Sequence, residues 1–159
     1  MPKMKAFLTF VCAALLAVLA VGTPVALAQT SPIQSQEMNA PGFVAELIEA
    51  NRSDGVLSLR IRIKNTDKTK KIFIYKTKND NEQFYFQAEN KKYFMLTDSE
   101  KAPLTAPLNS GYPWLQPEIK AGASFTWWAK YPAPPANVKK VSFYWPLSGP
   151  FDDVPIADK

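Results

Sequence analysis

The ten residues VLSLRIRIKN (Val56–Asn65) constrain this chain more than any other stretch. Leu57, Leu59, Ile61 and Ile63 alternate with Ser58, Arg60, Arg62 and Lys64. A period of two places the first set on one side of a strand and the second on the other. Helical spacing would scatter both sets around a cylinder. The segment is therefore a strand with one buried face and one wet face, and the protein needs a sheet layer with a core behind it.

The neighbouring sequence repeats the theme. FVAELIEANR precedes it as a strand, with Asp54-Gly55 as a strong turn signal between them. After the polar turn NTDKTKK come the short runs KIFIYK, QFYFQA and YFMLTD, separated by TKNDNE and ENKK. Such spacing predicts an all-β sandwich or barrel. Residues 99–122 carry Pro103, Pro107, Pro113 and Pro117 and read as a long loop with a short edge strand around Leu104. SFTWWAKY and VKKVSFYWP form the closing pair of strands, and GPFDDVPIAD reads as a proline-punctuated tail. We expect seven or eight strands in an immunoglobulin-like antiparallel β-sandwich spanning residues 43–159, with a small β-barrel as the alternative.

The N-terminus reads as a secretory signal peptide over residues 1–28. Lys3 and Lys5 lead an apolar run, and Ala26-x-Ala28 offers small residues to a signal peptidase. Cleavage after Ala28 predicts a secreted or periplasmic protein with no transmembrane segment. Residues 29–42 (QTSPIQSQEMNAPG) read as a flexible leader. The single cysteine, Cys12, lies within the apolar run, so no disulfide is expected and the core must hold the domain alone. Removing Lys3 and Lys5 from the 19 Lys and Arg leaves 17 against 14 Asp and Glu, a mild net charge of +3. That suits loose attraction to anionic envelope surfaces, and no nucleic-acid partner is expected.

RIRIKN with its turn, KKYFMLTDS, the Ala121-Gly122 before an aromatic strand, WAKYPAPPANVKKVSFYWP and PFDDVPI together resemble an exported bacterial module. That module is an immunoglobulin-like β-sandwich of unknown function, found alone or N-terminal to OmpA-like peptidoglycan-binding domains. The resemblance covers most of Phe43 to Ala157 and implies a fold and an envelope setting, with a cell-envelope protein or glycan as partner. No OmpA-like segment lies within these 159 residues, and cysteines that some relatives carry near the Asp98-Ser99 loop have no counterpart here.

The chain has no histidine, which removes the commonest general base and a common metal ligand. It has no Ser-x-x-Lys spacing, and Met38 and Met95 are too far apart to suggest a copper carrier. Asp152-Asp153, Asp80/Glu82 and Asp98/Glu100 read as solvated loop or tail acids, and Asp80-Asn81-Glu82 matches no calcium-loop pattern. We expect no enzyme, no cofactor and no metal site. Two binding candidates remain. Lys64, Lys68, Lys70, Lys71, Lys76 and Lys78 flank IFIY, either as an anionic contact or as guards of an edge strand. Alternation puts Phe125, Trp127, Ala129 and Tyr131 in the core, with Val141, Phe143 and Trp145. Trp128 and Tyr144 then project outward. On neighbouring strands they would pair across one face, either simply covering that sheet or, with Tyr112 and Trp114 from the long loop, making a sugar-stacking platform.

Overall fold

The computed structural model describes residues 31–69, 71–72, 75–76, 81–106, 114–115 and 118–159. The signal-peptide segment therefore lies outside the described residues, as do Lys70, Lys78 and Tyr112. The strands are β1 (Gln34–Glu37), β2 (Phe43–Ser53), β3 (Val56–Asn65), β4 (Lys71–Ile72), β5 (Tyr75–Lys76), β6 (Tyr85–Ala88) and β7 (Lys91–Phe94). They continue with β8 (Trp114–Leu115), β9 (Glu118–Ile119), β10 (Ser124–Pro132), β11 (Lys140–Tyr144), β12 (Phe151–Pro155) and β13 (Ala157–Asp158). One sheet runs β1-β2-β3-β10, with β13 beside β2, and the other runs β12-β11-β6-β7. All pairings are antiparallel except β13 with β2. The fold is a two-sheet β-sandwich and not a closed barrel.

Alternation decides which residues form the core. Leu57, Leu59, Ile61 and Ile63 of β3 are wholly buried, and Trp127, Ala129 and Tyr131 of β10 lie beside them. Phe84, Phe86, Val141, Phe143, Phe151 and Val154 meet them from the opposite sheet. Trp127 is the hub of this packing. Its ring lies 5.6 Å from Phe84, 6.2 Å from Phe143 and 5.8 Å from Trp145. Tyr131 meets Phe86 and Phe143 edge-on. Its hydroxyl is buried with no hydrogen-bond partner among the described residues, and burial pushes its pKa well up.

Two features depart from the sequence reading. Part of the expected flexible leader is the ordered strand β1, followed by the buried Met38, which bridges Ser148. The side chains of Gln34 and Gln36 donate to the carbonyls of Asp152 and Pro150, tying this edge of one sheet to β12 of the other. The tail GPFDDVPIAD likewise supplies β12 and β13. A bulge in β12 opposite β11 buries Phe151 and Val154 three residues apart, which hides the period-two signal. The opposite side of the sandwich is closed by the chain after β7. There Leu104 donates to Leu96, Lys130 donates to Leu104, and Thr105 bridges Ala129, at the edge pairing expected near Leu104.

The closing strands are not a hairpin. β10 belongs to one sheet and β11 to the other, so PAPPAN carries the chain across the end of the sandwich. Prolines cannot donate, but their carbonyls still need partners. The buried Arg52 of β2 provides them. Its Nη1 donates to the carbonyls of Pro134, Pro135 and Val138, and its Nη2 to that of Ala136. Its Nε donates to Asp158 at 2.6 Å, and Lys139 reaches the other carboxylate oxygen at 3.0 Å. One guanidinium thus fastens the crossover and the last strand to β2.

Two predictions follow from this packing. Trp127→Ala should lower the unfolding free energy by about 3–5 kcal/mol, and half-buried Trp128→Ala by less than half of that, read from denaturant midpoints. The hydrogen bonds from Arg52, then Lys139, hold the Asp158 carboxyl down from 3.8 to about 2. Its folded-state pKa lies below the unfolded one, so its stabilisation is complete above the unfolded value and fades as pH falls through about 2. The stability gap between wild type and Asp158→Asn should be constant near neutrality and close during acid titration over that interval.

Candidate binding face on the first sheet

The outward face of the first sheet is built from three neighbouring strands. β3 presents Ser58, Arg60, Arg62 and Lys64, and β10 presents Ser124, Thr126, Trp128 and Lys130 in register, with Trp128 opposite Arg60 and Lys130 opposite Ser58. β2 adds its acids by a local irregularity. Its register against β3 slips between Leu47 and Glu49, so Ile48 is the extra residue of a bulge. Strict alternation from Leu47 would turn Glu49 toward the core. The bulge turns it outward, opposite Arg60, and leaves Ala50 buried in its place.

Cross-strand rows result. Glu46 accepts from Arg62 Nε at 2.6 Å, and both side chains are largely shielded from solvent. Glu49 lies 3.5 Å from Arg60, whose side chain is half exposed. Trp128 extends the Glu49–Arg60 row onto β10. It is half-buried, packs against the core margin, and its carbonyl is fixed by Thr105 Oγ1 and the Ala106 amide. Glu49, Ser58, Arg60, Trp128 and Lys130 line a hollow of about 370 Å³. A second hollow of about 240 Å³ lies along the same face, lined by Ser31, Glu46, Arg62, Lys64 and Ser124. The first hollow falls within the range of small-ligand sites, with one aromatic side chain and several polar groups.

The other aromatic candidates are not gathered here. Trp128 and Tyr144 do not pair, because β10 and β11 lie in different sheets. Each sits on the strand face opposite a core residue, Trp127 and Phe143 respectively, so the two occupy opposite outer surfaces. Tyr144 instead belongs to a cross-strand row with Tyr85 and Phe94. Its ring stacks on Tyr85 at 4.7 Å, while Lys92 approaches Tyr85 from β7 at 4.3 Å from the ring centroid. Tyr85 and Tyr144 also line a hollow of about 340 Å³ with Pro146, Ser148 and Pro150, so this sheet carries an aromatic hollow of its own, in which the two rings are stacked on each other. The exposed Phe94 ends the row at the sheet edge. Tyr85, Phe94 and Lys92 were not singled out in the sequence, although Tyr85 alternates with the apolar Phe84 and Phe86.

Trp114 belongs to β8 rather than to a loop, opposite Lys76 in β5, and Lys71 in β4 lies opposite Ile119 in β9. Both pairs keep a common register, 71 and 72 with 119 and 118, then 75 and 76 with 115 and 114. The first of these pairs follows the end of the β3–β10 pair. Asn65, at the end of β3, is fully buried. Asn65 Nδ2 donates to the carbonyls of Thr69 and Ile119, while its Oδ1 accepts from the Asp67 amide. Lys64 and Lys68 are exposed. Lys64 lines the face described above.

No family model, curated protein or solved structure matches the chain. Among the described residues, no helix is long and apolar enough to cross a membrane.

Proposed function

We propose that this protein is an exported, non-enzymatic binding module of the cell envelope that holds a saccharide on the outward face of its first sheet. The observation carrying this reading is the hollow in which half-buried Trp128 stands beside the Arg60–Glu49 pair, Ser58 and Lys130. A sugar ring presents an apolar C–H face and a rim of hydroxyls. An indole serves the first, and a guanidinium–carboxylate pair with a serine hydroxyl serves the second. The strand-borne positions suit recognition, since side chains on a paired sheet are held with little freedom. The signal-peptide pattern and the resemblance to an exported immunoglobulin-like module support the envelope setting. The absence of histidine from the sequence supports a binding role over catalysis.

On the second sheet Tyr144 and Tyr85 spend one ring face each on their mutual stacking, whereas Trp128 stands beside a guanidinium–carboxylate pair, which favours the first sheet as the saccharide surface. Titration of the protein with solubilised envelope glycans should change tryptophan emission, and Trp128→Ala should abolish binding while leaving the fold intact by circular dichroism. Binding that survives in Trp128→Ala and is lost in Tyr144→Ala would move the site to the other sheet and refute this assignment.

A further inference from the structure

The charges on this face are unevenly matched. Arg62 is neutralised by Glu46, and Arg60 lies beside Glu49. Lys64 and Lys130 have no carboxylate within ion-pair distance among the described residues. They stand at opposite ends of the face, since Lys64 is opposite Ser124 and Lys130 lies six residues further along the same strand. At strand rise this separates the two backbone positions by about 20 Å. Trp128 and Arg60 lie between them, on the Lys130 side. The two hollows follow the same line, one containing Lys64 and the other Lys130.

Resting on the saccharide reading above, we infer that the ligand is a linear acidic glycan, laid along β3 and β10, with anionic groups reaching Lys64 and Lys130 and a sugar ring against Trp128. A monosaccharide cannot span both cations. A neutral glycan leaves both without a counter-charge. The matched Arg–Glu pairs supply hydrogen bonds to hydroxyls without adding net charge, so selectivity for acidic chains resides in the lysines.

The test uses galacturonate oligomers as probes, a dimer and a hexamer, with a neutral glucan hexamer as control. The full domain and its Lys64→Ala, Lys130→Ala and Trp128→Ala variants are compared by calorimetry. Both lysines are exposed, so their loss leaves the fold unaffected. The hexameric acid should bind more tightly than the dimer. Each lysine variant should weaken hexamer binding by about threefold to fivefold, and added salt should weaken it further. Equal affinity for dimer and hexamer, or lysine variants indistinguishable from wild type, overturns the inference. If the neutral hexamer binds as tightly as the acid and Trp128→Ala removes both, the acidic selectivity is wrong while the saccharide site stands. If acid binding is salt-sensitive yet unchanged in Trp128→Ala, the contact is diffuse surface charge and both are wrong.

Discussion

The pairing of β3 with the nine-residue β10 is the constraint on which the rest depends. Its register turns Trp127 inward and Trp128 outward, although the two are chemically identical neighbours. Inward, Trp127 joins rings from both sheets and buries the largest side chain type in the chain's core. Outward, the same ladder aligns Trp128 with Arg60, and Lys130 and Lys64 with serines at either end. A slip of one residue would expose the core and bury the charges, so burial enforces the register of the face. The proposed binding surface costs little extra organisation because it is the reverse side of the core.

Arg52 holds the two sheets in one connection. A proline-rich crossover has fewer backbone donors, and it must leave one sheet and enter the other at the end of the sandwich. A single buried guanidinium, with donors spread over its planar fork, satisfies several crossover carbonyls and grips Asp158 of β13. A lysine offers one ammonium and could not span these acceptors. The interaction is thus geometric as much as electrostatic, and it explains why PAPPAN is compatible with a fixed crossover.

The core strands were legible in the sequence because alternation reports burial directly. VLSLRIRIKN and SFTWWAKYP fall on the expected faces, and the Asp54-Gly55 turn sits where its residues suggested, both with positive φ. Strands β1, β12 and β13 were not legible. QSQE carries no apolar side chain, and its pairing rests on backbone and glutamine amides. In FDDVP a bulge replaces the two-residue period by three. The bulge in β2 hid Glu49 in the same way, so the acid beside Arg60 emerged only with the register. The sheet membership of β10 and β11 was hidden too, because proximity in sequence suggested a hairpin where the prolines make a crossover. Trp128 was identifiable as an outward ring, but its neighbours come from β2 and β3, distant in sequence.

The central claim is that the outward face of β2, β3 and β10 is where this protein meets its ligand. Backbone amide shifts recorded during titration with solubilised envelope glycan test it most directly. The account predicts perturbations clustered at residues 46–49, 58–64 and 124–130, together with the Trp128 indole. Perturbations centred on Tyr85, Phe94 and Tyr144, with the first sheet unchanged, would contradict it.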